Sequence, residues 1–393
     1  MKVCLISRGD LNLFPPTQGA SNKLFYTLYN LSLLGVKAFF VTAEHENYFE
    51  VKNGKFIKKN YPRWLAKSPV TDRIKKLLSF LGIPSDIHPI YHPLVNFKFW
   101  LKVLYVTLKE KINVLQPEFT AFCLPAIFVK FLTLRPVCLV EHNVETFQIP
   151  EVTNIGKKGM KIVKTLEKFV CKFSDKIVAI TQEDKKRLEK LEVKREKIVV
   201  IPHGVNLSWF KRAKGEKIKK KYKLKFPTLI FHGVYSYKPN YEAIKILAEK
   251  ILPKLEKMGI KAKLLAVGDY PPNIKNPNII FTGAVKNLPD YIDAADIAVV
   301  PIKAGGGMRM KILEYFAAKK PVISTKKGIE GIQVKNGREV IITNIENFPK
   351  EIARLIKLKN LRKKLVKNAF KFVQAYDWGN ICKKYVEIYK ELT

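Results

Sequence analysis

Short apolar runs alternate with helix-period stretches along this chain, and the whole alternation happens twice. Residues 3–7, 38–42, 114–115, 137–140, 177–180 and 198–201 make the first series. Residues 228–232, 263–267, 279–282, 297–300, 322–324 and 340–342 make the second. A strand that is apolar at every position has to be buried on both faces, and alternation with helices is the pattern of parallel sheets covered on each side. A length of 393 residues also exceeds what one hydrophobic core usually serves. The predicted fold class is α/β, as two Rossmann-like doubly wound domains facing across a cleft. The N-terminal domain takes residues 1–203 and the C-terminal domain 204–376. The segment I-P-H-G-V-N at 201–206 is the expected hinge, because Pro202 and Gly204 punctuate it. Ligands in such folds bind in the crevice beyond the carboxyl ends of the strands. In 377–393, Trp378, Ile381, Tyr385, Ile388 and Tyr389 recur at helical spacing. That predicts an amphipathic helix packing back on the N-terminal domain.

The segment 301–325 reads P-I-K-A-G-G-G-M-R-M-K-I-L-E-Y-F-A-A-K-K-P-V-I-S-T. A strand, then Gly305, Gly306, Gly307 and Met308, then a helix is the order that builds an anion site. Glycines let backbone N–H groups approach a ligand, and a helix start carries roughly half a positive elementary charge. Ile312, Leu313, Phe316 and Ala317 share one face that should pack on the sheet. Arg309 then lies in the first turn, where its guanidinium can fork onto phosphate oxygens. Lys311 follows as a second cation, and Glu314 stands further in, suited to a ribose diol. The plain alternative makes Lys311 and Glu314 an i,i+3 surface pair worth about 0.2–0.5 kcal/mol.

The net charge of +38, from 72 Lys and Arg against 34 Asp and Glu, admits nucleic acid, an anionic membrane or phosphorylated substrates as partners. A general bias towards solvated lysine faces would produce it equally well. An apolar content of 47% excludes a disordered chain. Cys4, Cys123, Cys138, Cys171 and Cys382 are dispersed without C-x-x-C spacing, which predicts a reduced, cytoplasmic setting and no zinc site. The opening residues hold an apolar run too short for a signal peptide and read as a first strand. Pro125, Lys130, Arg135 and Pro136 interrupt the apolar stretch 119–140, so two buried elements are expected there rather than a transmembrane helix. Residues 97–111 interleave aromatics with lysines, the pattern of a buried helix whose lysines snorkel. With Lys58, Lys59, Arg63, Trp64, Lys67, Arg73, Lys75 and Lys76 nearby, the N-terminal domain can also rest peripherally on anionic lipid at the inner face of the cell membrane. No D-x-D occurs, and Asp290, Asp293 and Asp296 sit at helical spacing, so no metal site is expected.

The block 301–325, continuing into K-K-G-I-E-G-I, resembles the donor-nucleotide signature of glycosyltransferases with the GT-B fold, family 4 in particular. Other stretches match in order: P-P-T-Q-G-A at 15–20 the N-terminal glycine loop with Gly19, V-E-H-N-V-E at 140–145 the strand-end histidine, His142, and V-I-P-H-G-V-N the interdomain linker. F-H-G-V-Y-S-Y-K-P-N at 231–240 is similar to the loop whose basic residue, here Lys238, faces the donor diphosphate. The resemblance implies a retaining transferase that moves a sugar from a nucleoside diphosphate sugar to a hydroxyl of a glycan, lipid-linked or small-molecule acceptor, without metal or other cofactor. In it His142 hydrogen-bonds the sugar or leaving phosphate, Lys238 and Arg309 offset its charge, and Glu330 approaches the nucleotide or acceptor. Gly306 stands where the first of two family glutamates is common, the second aligning with Glu314, which leaves the donor sugar open. A nucleotide-sugar epimerase on the same fold, or a basic protein binding membrane or nucleic acid with a silent sugar site, are the alternatives.

Overall fold

A computed structural model describes residues 1–8, 19–66 and 71–393. The chain forms two compact units, Met1–His203 with Trp378–Thr393, and Gly204–Asp377.

In the first unit, β1 (Lys2–Ile6), β2 (Lys37–Val41), β3 (Asn47–Lys52), β4 (Lys55–Asn60) and β5 (Val114–Pro117) lie in the order β4-β3-β2-β1-β5. Bridges Leu115 to Val137 and Glu118 to Val140 carry the sheet on into β6 (Cys138–Glu141), β7 (Lys176–Ala179) and β8 (Ile198–Val200). Pairing is parallel except for β2-β3 and β3-β4. That antiparallel hairpin has no counterpart in the sequence reading. Its turn, Asn53-Gly54, holds both residues at positive φ, 50° and 73°, as a two-residue turn matched to strand twist requires.

The stretch 119–140 resolves into the helix Cys123–Thr133 and β6, and among the described residues no helix is long and apolar enough to cross a membrane. The helix Phe97–Lys109 buries Phe99, Val103 and Val106 against the sheet. Its Lys102 is also buried, donating to the carbonyls of Ala43 and His45 at 2.8 Å, and burial pulls its ammonium down to about 8. The helix Trp378–Leu392 buries Trp378, Ile381, Cys382, Tyr385, Ile388 and Tyr389. Trp378 stacks on Tyr26 with 6.1 Å between ring centroids, which sets this helix against Gly19–Leu33 of the same unit. All five cysteines are unbridged thiols, and all are buried.

The second unit is one parallel sheet of β9 (Thr228–His232), β10 (Lys263–Val267), β11 (Ile279–Gly283), β12 (Ile297–Val300), β13 (Val322–Ser324) and β14 (Ile341–Ile342). The order β11-β10-β9-β12-β13-β14 reverses direction between β9 and β12. That reversal opens the crevice in which doubly wound folds bind ligands. In the first unit the same reversal falls between β1 and β5.

Candidate active site

Two clusters of polar side chains gather at these reversal points. In the second unit β12 delivers the glycine loop, and the helix Met310–Ala317 follows. That helix is fixed because Ile312, Leu313 and Phe316 are fully buried, each worth roughly 1.5–3 kcal/mol against exposure. Gly305 has φ 91° and Gly307 φ 76°. A Cβ on Gly305 would lie 2.6 Å from the Tyr237 hydroxyl, so the first position of the triplet needs glycine for conformation and for space.

Arg309 is the N-cap residue of this helix rather than part of its first turn. Its guanidinium is folded into the loop: Nη1 donates to the Gly306 carbonyl at 2.8 Å, and Nη2 to those of Ala304 and Gly305 at 3.1 and 2.6 Å. By sequence alone this fork is expected on phosphate. The loop wins it because three carbonyls turned to one side need a cation. Among the described residues, the backbone N–H groups of Gly305 through Arg309 have no hydrogen-bond partner. Acceptors are thus neutralised on one side of the loop while donors stay available for an anion.

Lys311 and Glu314 do not pair with each other. Lys311 Nζ donates to Asn240 Oδ1 at 2.9 Å and lies 4.1 Å from the Phe231 ring centroid. Burial first, and Arg309 second, bring its ammonium down to about 7 against a weaker pull from Glu314. Glu314 Oε2 is held by His232 Nε2 at 2.8 Å. The Tyr315 hydroxyl accepts from the His232 backbone N–H at 3.1 Å and meets Nδ1 at 2.9 Å. In the tautomer protonated at Nε2, the hydroxyl donates to Nδ1 and His232 donates from Nε2 to the carboxylate. His232 was not singled out from the sequence, although it ends β9 inside the quoted stretch 231–240. Its pattern is one histidine at a strand end, which looks the same whether structural or functional.

Lys238 opens the helix Lys238–Ile246, with Tyr237 at its N-cap, where a loop was expected; Pro239 at the second helical position favours that start. Its side chain is exposed. Glu330 is ion-paired with Lys327 after β13. Met308 is buried beside the loop. Asp290 and Asp293 accept from the backbone N–H groups of Lys214 and Gly215, and Asp296 from that of Thr228. These carboxylates hold chain segments together. No cluster of three or more His, Cys, Asp or Glu that could hold a metal occurs among the described residues.

In the first unit, Gly19 begins the helix Gly19–Leu33, and residues 15–18 of the quoted glycine loop lie outside the described residues. His142 follows β6, buried, with Nε2 2.7 Å from Glu118 Oε2. Glu118 also binds Lys23 of the helix Gly19–Leu33. Neither Lys23 nor Glu118 was legible beforehand, because they are 95 residues apart and only the β1-β5 reversal joins them.

A sequence profile described as glycosyl transferases group 1 matches residues 226–358, and one described as glycosyltransferase family 4 matches residues 68–209. The chain is a family 4-type glycosyltransferase of the GT-B fold. A comparison with curated protein sequences returned no match. Similar solved structures include a sucrose-phosphate synthase from Thermosynechococcus elongatus, at 15% identity and TM-score 0.74 over 100% of this chain and 99% of that one. Anabaena HepE in complex with UDP-glucose is similar at 15% identity and TM-score 0.69, over all of both chains. A Rickettsia africae glycosyltransferase is similar at 17% identity and TM-score 0.69, over 100% of this chain and 98% of that one.

Proposed function

We propose that this glycosyltransferase takes a nucleoside diphosphate sugar as donor, transfers the sugar to an acceptor hydroxyl with retention, and uses no metal. The observation that carries the reading is the loop Gly305–Arg309, with its carbonyls tied to one guanidinium and its N–H groups free beside a helix start. A diphosphate matches that donor array, and the His232-held Glu314 would accept from a ribose diol. Lys238 and Lys311 would supply the positive charge that a divalent ion supplies elsewhere. A uridine nucleotide is the first base to try, since HepE was solved with UDP-glucose.

The chemistry proposed is front-face displacement. The bond from anomeric carbon to phosphate oxygen breaks, the acceptor oxygen bonds to that carbon on the same face, and the acceptor proton passes to the departing diphosphate. No enzyme nucleophile is needed. His142 would hydrogen-bond the sugar or the leaving phosphate, as the resemblance implies. Thermal-shift measurements against a panel of nucleoside diphosphate sugars, with and without EDTA, test this. One or more should raise the unfolding midpoint in EDTA, by mass action; no shift with any would overturn the reading.

The acceptor side is proposed to meet an anionic membrane peripherally. Trp64, Leu77, Phe80, Phe97, Leu101 and Phe131 of the first unit are exposed among lysines, the composition of an interfacial surface. Cosedimentation with phosphatidylglycerol vesicles but not phosphatidylcholine vesicles is expected, and equal binding to both would remove the electrostatic part.

A further inference from the structure

Three consecutive residues leaving β5 all grip the end of β6 or the residue that follows it. Glu118 takes His142 Nε2 at 2.7 Å. Phe119 donates its backbone N–H to the Val140 carbonyl at 3.0 Å, and its ring lies on the imidazole with 4.1 Å between centroids and 15° between planes. Thr120 Oγ1 donates to the Glu141 carboxyl at 3.0 and 3.2 Å. Phe119 does this from φ 78° and ψ 151°, a backbone region that suits glycine and strains a bulky residue. A ring kept in such a conformation, face to face with a buried imidazole, points to a requirement at the imidazole.

The state of Glu118 decides which proton His142 carries. Glu118 is fully buried. It accepts from Lys23 and, at 2.7 Å, from Gln116 Nε2, while Gln116 Oε1 accepts from the Tyr389 hydroxyl of the helix Trp378–Leu392. Burial by itself would raise this carboxyl, but the Lys23 charge and the His142 hydrogen bond outweigh it and hold it at about 2. An ionised carboxylate can only accept. Burial also lowers His142, with Lys23, Arg8 and His203 the other basic groups about it, so the ring is neutral near pH 7. Its single proton must then sit on Nε2, facing Glu118, and Nδ1 keeps the lone pair.

We propose that residues 118–120 are a positioning clamp for His142: Glu118 fixes the Nε2–H tautomer, Phe119 the plane of the ring, and Thr120 the residue before it. His142 is then an acceptor at Nδ1, able to receive a hydroxyl proton of a bound sugar and unable to donate to a phosphate. That last step rests on the donor reading above; the tautomer does not. The C-terminal helix belongs to the same device, since Tyr389 orients Gln116, which orients Glu118.

Long-range proton–nitrogen correlation on the full-length, nitrogen-15-labelled protein reads the tautomer, with His142→Gln assigning the signal. His142 should show one neutral tautomer, protonated at Nε2, at pH 7 to 8. A proton on Nδ1, or a mixture, would overturn the clamp. The double variant Lys23→Met/Glu118→Leu removes both charges together, so that no buried ion is left unpaired. It should populate both tautomers and, at equal populations, weaken UDP-glucose binding about twofold while leaving UDP affinity unchanged, because only the Nε2–H fraction can accept at Nδ1. An unchanged tautomer there would also overturn the clamp, and the wild-type spectrum decides even if this variant fails to fold. A wild-type Nε2–H signal without any UDP-glucose binding would support the clamp and count against that donor.

Discussion

Arg309 shows how little a residue's type says about its partner. A guanidinium beside a glycine loop is ordinarily taken for a phosphate ligand, yet here it binds the loop's own carbonyls. Glu314 was placed correctly on its helix from spacing alone, whereas its anchor His232 comes from a strand 82 residues away, beyond the reach of any local pattern. Glu314→Ala should weaken UDP binding about tenfold in calorimetry with an unchanged circular dichroism spectrum; equal affinity would remove the ribose role. His232→Ala should give a smaller loss, because the carboxylate remains but is no longer aimed. Lys311 makes a pH prediction. Burial and the Arg309 charge bring its ammonium down to about 7, below its ordinary range, so above pH 7 the free protein holds it neutral. A bound diphosphate favours the charged form and raises it again. Binding therefore takes up a proton above pH 7, and affinity falls as pH rises through that point while levelling off below it. Calorimetry at pH 8 in two buffers of different ionisation heat should show uptake approaching one proton, absent in Lys311→Met. A buffer-independent enthalpy would place Lys311 away from the phosphates.

Elements were legible where their burial is uniform and obscure where it is divided. Strands β9, β10, β12 and β13 of the second unit, buried nearly throughout, stand where their apolar runs place them. The hairpin β3-β4 escaped notice because β4, K-F-I-K-K-N, is half exposed and full of lysine, and only Asn53-Gly54 marks it. The acids of V-E-H-N-V-E were likewise silent in sequence, since nothing in the motif says they are buried. Glu141, Glu145 and Glu167 converge under the helix Glu145–Val152, where Glu167 accepts the first backbone N–H groups of that helix, from Glu145 and Thr146, and Tyr91 donates to Glu145. Burial first, and Glu167 next, push Glu145 up to about 8, and Glu141 and Glu167 are raised as well. A carboxyl raised in the folded state binds more protons folded than unfolded, so its contribution to stability is complete below about 4.5 and is lost as pH rises through about 8. Urea unfolding should therefore show stability declining from pH 5 to 8, with a flatter profile in Glu145→Gln, whose amide still accepts from Tyr91. A wild-type profile that rises with pH over this range would contradict the protonated cluster. At the glycine loop, Gly305→Ala meets both a positive φ and the Tyr237 hydroxyl. It should cost about 1–2 kcal/mol of stability and lower UDP affinity more than a distant substitution of equal cost.

At the scale of the whole molecule, the charge of +38 is the property that neither fold nor site consumes. The acids at hand are already occupied: Glu118, Glu141, Glu145 and Glu167 are buried, and Asp290, Asp293 and Asp296 hold backbone N–H groups. Lysines remain at the surface, and ion pairs such as Lys75 with Asp72 and Lys219 with Glu216 are exposed i,i+3 contacts of small individual worth. Such a surface repels itself, and the repulsion reaches about 30 Å at 0.01 M salt but only about 3 Å at 1 M. Raising sodium chloride from 10 to 500 mM should therefore raise the thermal unfolding midpoint, by roughly 3–6 °C for units of this size. The same addition should release the protein from phosphatidylglycerol vesicles. A midpoint unmoved by salt would mean that neighbouring acids already balance the lysines. If the midpoint instead rises while vesicle binding survives 500 mM salt, the charge is a general cost and the exposed aromatics hold the membrane. The two titrations together thus separate a basic surface selected for lipid from one that the lysines merely make.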